Sequence, residues 1–280
     1  MRVNENCAAC LLDKQVHRTN DEGYLREVRR IIDGRTEEDT APYLVYLFNL
    51  AYERRFGKGE SYREIKRKFN DLVLSMEGAV RERIEAAPDP LAAALAFARV
   101  GNYIDFGAMN SVDEDTFLSL FDDAALSDRD RETYASFRRA CAGAERFLLI
   151  GDNCGEIVLD RLFLEELKKA FPALELTVMV RGGETFNDAT AEDAAYAGLD
   201  RMARIVTNGS TIAGTICEHL PPESLRVLEE ADVILAKGQG NYESLCGRGR
   251  HIFYSFLCKC ELFTTRFQVP PLTGLFIEET

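Results

Sequence analysis

Asp152 and Asn153 stand side by side in Gly151-Asp-Asn-Cys-Gly-Glu156, a concentration of oxygen donors held between two glycines. Three other short stretches carry similar chemistry: Asn187-Asp188-Ala-Thr190, Thr207-Asn208-Gly209-Ser210 and Lys237-Gly-Gln-Gly-Asn241-Tyr-Glu243. Aspartate and asparagine oxygens are hard ligands that suit magnesium or manganese, and a mixed set also admits cobalt or nickel. A lysine and the backbone amides of a glycine-containing turn suit a phosphate. Together they predict a cation and a phosphoryl group meeting at one place.

Each stretch follows a strand-like run. Arg146-Phe-Leu-Leu-Ile150 is a short apolar run that reads as a buried strand, and Gly155-Glu-Ile-Val-Leu-Asp-Arg-Leu-Phe-Leu-Glu-Glu-Leu167 then takes up helical spacing. Leu174-Glu-Leu-Thr-Val-Met-Val180 leads into Arg181-Gly-Gly, and Asp232-Val-Ile-Leu-Ala236 leads into Lys237. Arg204-Ile-Val-Thr is a weaker run of the same kind. Strand, polar turn and helix in repetition predict parallel βαβ units whose loops converge on one sheet edge. That is the edge where open α/β sheets bind ligands. Convergence would gather Asp152, Asn153, Asp188, Asn208 and Lys237, with Arg181 and Ser210 on the same edge. A plainer alternative stands beside this one. Asp152-Asn153 could cap the helix at Gly155, Asp188 could cap a helix at Ala191, and Lys237 could be a surface lysine.

These motifs resemble the damage-control phosphatase family, long known only as a domain of unknown function and linked to protein-glutamate carboxyl methyltransferases. The resemblance rests on Asp152-Asn-x-Gly-Glu156, Arg181-Gly followed by Asn187-Asp-Ala-Thr190, Thr207-Asn-Gly-Ser210 and Lys237-Gly-Gln-Gly-Asn-Tyr-Glu243. It extends to Cys7-Ala-Ala-Cys10, Asp89-Pro90 and Gly101-Asn-Tyr-Ile-Asp105, and so covers most of the chain, closest to the stand-alone prokaryotic branch. Cys154 is bulkier than the small residues common at its position.

What the resemblance implies is a metal-dependent phosphatase acting on small phosphorylated metabolites, sugar phosphates foremost. It places a metal on Asp152, Asn153 and Asp188, with Lys237 meeting the phosphate, and it favours manganese, cobalt or nickel over magnesium. Asn102, Asp105, Arg181, Asn208, Gly209, Ser210 and Asn241 are the expected substrate-binding residues, and Glu156 a residue orienting a ligand. Hydrolysis would use a metal-activated water or, alternatively, an aspartate attacking phosphorus. Two rival functions use the same fold: a methyltransferase using S-adenosylmethionine, and a noncatalytic phosphometabolite-binding protein. Against the methyltransferase, no Gly-x-Gly-x-x-Gly turn follows the first strand.

Composition narrows the partners. A net charge of -13, from 34 basic and 47 acidic side chains, argues against a nucleic-acid backbone. No apolar run reaches the roughly 18 residues needed to span a bilayer, and the polar start does not read as a signal peptide. Eight cysteines without such a signal predict a reducing, cytoplasmic location. Cys7, Cys10, Cys258 and Cys260, with His17 and His251, could form a second metal site; the plainer expectation is buried free thiols.

The chain divides near residue 143 into a helical domain, 1–143, and an α/β/α domain, 144–280. The fold class expected is α/β, with the helical half packed on a three-layer Rossmann-like domain whose sheet is mostly parallel. In the first half, helices are expected from Tyr24 to Ile32, from Ala41-Pro42 to Tyr52, and from a Ser61-x-x-Glu64 capping box toward Ala86. Others run from Asp89-Pro90 to Val100 and from Asp128 to Ala140. Asn102 and Asp105, bracketed by Gly101 and Gly107, either end a helix or reach the pocket from the helical side.

Overall fold

In β4 (Val233–Lys237) and β5 (Ile252–Leu257) every residue is buried, the signature of strands covered on both faces of a parallel sheet. The computed structural model describes residues 1–59, 61–104 and 119–280. Its sheet has six strands in the order β3-β2-β1-β4-β5-β6, with β1 (Arg146–Ile150), β2 (Glu175–Val180) and β3 (Arg204–Thr207) completing the parallel set. β6 (Gly274–Glu279) closes one edge antiparallel to β5. The α/β class and the mostly parallel sheet are therefore as expected.

Before the sheet come α1 (Glu5–Arg18), α2 (Glu22–Asp33), α3 (Ala41–Phe56), α4 (Arg63–Ala86), α5 (Pro90–Gly101) and α6 (Asp130–Ala142). Between the strands lie α7 (Glu156–Ala170), α8 (Ala191–Tyr196), α9 (Pro222–Glu230), α10 (Gln239–Leu245) and α11 (Glu261–Phe267). Strand residues alternate between the two faces, as the period of two demands. Phe147 and Leu149 join a core with Phe69 of α4, Leu95 of α5, Phe137 of α6 and Phe163 of α7. Leu148 and Ile150 join the other, with Leu228, Leu245 and Phe263 of α9, α10 and α11. The core thus crosses residue 143, because α4, α5 and α6 are themselves a layer of the sandwich. Only α1–α3 keep a separate cluster, built on Leu11, Tyr24, Val28 and Phe48.

Two details of the helical half differ from expectation. Ser61 forms no capping box, since α4 starts at Arg63 without a side-chain cap. Its hydroxyl instead donates to Glu184 at 2.9 Å, and the same carboxylate accepts the Tyr62 N–H. A carboxylate from a distant loop replaces the local one. The second is the run Cys7-x-x-Cys10, expected as buried thiols: it lies on α1 with Cys7 half-buried and Cys10 exposed. β5, α11 and β6 also escaped notice; in Ile252–Leu257 only Ser255 interrupts the apolar residues, so no alternation marks the strand.

The contact that matters most for the site is the crossing of α5 over the start of α7. A Cβ on Gly101 would lie 2.8 Å from Glu156 Cα and 2.9 Å from Leu159 Cδ1. Only glycine lets the two backbones approach this closely, and Asn102 follows directly. Gly101→Ala should therefore push the helices apart and cost about 1–3 kcal/mol, the usual range for overpacking. Urea unfolding followed by circular dichroism would measure it; an unchanged midpoint would contradict this packing.

A candidate metal and phosphate site at the switch point

The strand order reverses direction between β1 and β4, and a crevice forms outside the carboxyl ends of strands at such a point. Asp152 leaves β1 there and Gly238 leaves β4. A Cβ on Gly238 would lie 2.0 Å from the Asp152 carboxylate, and its φ of 79° is left-handed. Glycine is required twice over.

Asp152 is gripped from three sides. Arg181 Nη2 donates to its Oδ1 at 3.1 Å, while Asn102 and Asn153 donate their amide N–H groups to Oδ2 at 3.0 and 2.8 Å. Its carbonyl accepts the Ala189 N–H at 2.7 Å, which draws the segment after β2 alongside. A bridge pairs Asn153 with Asp188, so the two residues meet despite their separation in sequence. Arg181 then ties the halves together, donating from Nε to Asp188 at 2.6 Å and from Nη1 to Asn241 at 3.1 Å. Its side chain is only 1% exposed. Thus Asp152, Asn153, Asp188, Arg181, Asn102 and Asn241 form one buried network.

The capping alternative does not describe this geometry. Gly155 directly precedes α7, and its N–H is taken by Asn70 of α4 at 2.6 Å. α8 is capped by a Thr190–Asp193 box. Asp193 also holds Lys66 at 2.6 Å and Asn70 at 3.0 Å, so a second polar network braces the site from below. None of Asn70, Lys66 or Asp193 was singled out from sequence, for they sit in ordinary amphipathic patterns.

Several expected substrate contacts turn inward instead. Asn102 spends its amide on Asp152 and Glu156 and its oxygen on the Leu257 N–H, so it braces the site. Asn241 donates to the carbonyls of Gly151 and Lys237, and its oxygen accepts from Thr215. Asn208 Oδ1 accepts the N–H groups of Gly182 and Ser210, while the Asn208 N–H goes to Val180. Two amides of the turn expected to face phosphate are therefore used internally, and Gly209 and Ser210 lie at the rim. Asp105 lies outside the described residues.

Lys237 departs furthest from expectation. Its side chain is 1% exposed, and its ammonium lies 2.5 Å from Asp160, 2.7 Å from Glu156 and 3.1 Å from the Ala98 carbonyl. The Ala98 carbonyl and Asp160 accept hydrogen bonds from it, and Glu156 faces it as a counter-charge. Burial alone would lower its pKa, but Asp160 and Glu156 outweigh that and hold it above the ordinary lysine value. Burial pushes the Asp160 carboxyl up, to about 7. The alternation of β4 could have revealed this. Leu235 faces α7 and Ala236 the opposite layer, so Lys237 must point back toward α7.

The donor set fits a divalent cation. Asn153 gives its amide N–H groups to Asp152 and Glu156, which as carboxylates only accept. Its Oδ1 accepts from the Asn187 amide at 3.3 Å, and with the carboxylates of Asp152 and Asp188 it gives the switch point oxygen donors on three neighbouring residues. Four buried carboxyl groups (Asp152, Glu156, Asp160, Asp188) surround two buried cations, Arg181 and Lys237, and the surplus is negative. The cysteines offer no rival. All eight are free, and among the described residues no group of three or more His, Cys, Asp or Glu side chains is placed to hold a metal. Burial pushes the Cys7 and Cys258 thiols up, to about 12 and 11, away from the thiolate a metal would need.

Among the described residues no helix is long and apolar enough to cross a membrane. A damage-control phosphatase from Archaeoglobus fulgidus is 29% identical over 276 residues, which cover 93% of each chain. An uncharacterised Methanocaldococcus jannaschii protein is 31% identical over 93% of this chain and 90% of its own. The crystal structure of a DUF89 family protein from Pyrococcus horikoshii superposes with a TM-score of 0.80, at 25% identity over the whole of both chains. The family model described as the damage-control phosphatase ARMT1-like domain matches residues 3–271, and this chain belongs to that family.

Proposed function

We propose that this chain is a cation-dependent phosphatase that hydrolyses small phosphorylated metabolites, with sugar phosphates as the leading class. The observation that carries the reading is the joining of Asp152, Asn153 and Asp188 around the Arg181 guanidinium at the switch point. The name of the Archaeoglobus relative, a damage-control phosphatase, supports it.

Asp152, Asn153 and Asp188 would hold the cation through oxygen, as magnesium, manganese, cobalt and nickel all accept. Once bound, such an ion supplies Lewis acidity and lowers the pKa of water. The protein does the rest. Arg181 fixes the separation of the two aspartates and keeps a positive charge beside them in a site shielded from solvent, where charge acts strongly. Both Asp152 oxygens already accept bonds, which supports water over this carboxylate as nucleophile. Lys237 serves from behind, as the counter-charge to Glu156 and Asp160. The strand order alone would also suit a nucleotide-binding methyltransferase. The turn after β1 carries Asp152 and Asn153 and no Gly-x-Gly-x-x-Gly run, which favours the phosphatase.

Chelator-stripped protein should hydrolyse p-nitrophenyl phosphate only after one of the four cations is added back. Asp152→Ala and Asp188→Ala should each lower that turnover by at least about 100-fold, since even residues behind a metal ligand contribute 10–100-fold. Cation-independent turnover, or both variants matching wild type, would sink the reading. Lys237→Ala should behave differently. It strands two buried carboxylates and should cost about 3–5 kcal/mol of stability in urea unfolding. A change within about 0.5 kcal/mol, the range for a surface substitution, would contradict the buried role.

A further inference from the structure

Asp160 touches none of the three residues proposed to hold the cation, yet it is completely buried on the second turn of α7. It lies four positions after Glu156, so both carboxylates project from one face of the helix. That face meets the end of β4, where the Lys237 ammonium sits between them at 2.5 and 2.7 Å. One carboxylate would be enough to balance Lys237. A second, buried at the cost that pushes its carboxyl up to about 7, calls for another reason.

The contacts of Glu156 supply it. Its Oε1 faces Lys237, while its Oε2 accepts the Asn153 main-chain N–H at 3.3 Å and the side-chain amides of Asn153 and Asn102 at 3.1 Å each. The same two amides hold Asp152 Oδ2. Contacts therefore run without a gap from Asp160 through Lys237, Glu156 and the paired asparagine amides to Asp152. An ammonium held by Glu156 alone would follow any movement of that side chain. Anchored also by Asp160 on α7 and by Ala98 on α5, it becomes a fixed point that Glu156 must come to.

We propose that Asp160 is a positioning residue: it fixes the Lys237 ammonium, and through Glu156 it sets the aim of the Asn153 amide oxygen and the Asp152 carboxylate toward a divalent cation. The role rests on the reading of Asp152, Asn153 and Asp188 as cation ligands. It concerns metal affinity, not only fold stability, and this separates it from an ordinary buried ion pair.

Isothermal titration of manganese into wild type, Asp160→Ser and Asp160→Asn tests it. Serine is too short to reach the ammonium, so Asp160→Ser should bind manganese about 10–100-fold more weakly, the usual effect of losing a residue behind a metal ligand. Asp160→Asn keeps an oxygen for Lys237 and should recover most of the loss. A folded Asp160→Ser protein with wild-type affinity, even with a lowered melting temperature, would overturn the proposal. If that variant does not fold, Asp160→Leu fills the space without a polar group and carries the same expectation and the same refutation. Wild-type protein that binds no manganese would overturn the ligand assignment itself, and the positioning role with it.

Discussion

Burying an unpaired carboxylate costs several kcal/mol, and the edge between β1 and β4 buries four carboxyl groups within reach of two cations. Every other feature of the site follows from meeting that cost. Arg181 divides its guanidinium between Asp152 and Asp188, and Lys237 divides its ammonium between Glu156 and Asp160. The asparagine amides of Asn102 and Asn153 join the two clusters, since each donates to both Asp152 and Glu156. An arrangement with more negative than positive groups and oxygen donors on three neighbouring residues is suited to a divalent ion.

The fold supplies what the charges need. Strand order puts the ends of β1 and β4 side by side, and two glycines allow contacts that any side chain would block: Gly238 against Asp152 and Gly101 against Glu156. The helical half belongs to this machinery. α4 contributes Asn70, which caps α7 at Gly155, and α5 delivers both Asn102 and the Ala98 carbonyl. A boundary at residue 143 marks a change in local pattern, not a gap in the core.

How much of this was legible depended on the direction of each side chain. Position along the chain was easy: a polar residue after an apolar run lies at a strand end, and this found Asp152, Asn153, Asp188 and Arg181. Direction was harder. Lys237 follows β4 as a phosphate ligand would, yet strand alternation turns it into the α7 layer. Asn102, Asn208 and Asn241 were read as reaching outward, but an asparagine bonds equally well to backbone, and all three brace loops. Asp160 left a signal that went unused, an acid one turn after Glu156 on the buried first half of α7. β5 was missed because only Ser255 interrupts its apolar residues, β6 because Gly-Leu-Phe-Ile-Glu-Glu shows no alternation, and Glu184 because a contact from a distant loop leaves no local pattern.

The measurement that bears most directly on this account is anomalous diffraction at the manganese edge from crystals soaked in that ion. The account predicts one strong peak in contact with the side-chain oxygens of Asp152, Asn153 and Asp188, with Lys237 still held by Glu156 and Asp160. A peak elsewhere, at the cysteines for instance, or none at the switch point, would contradict it.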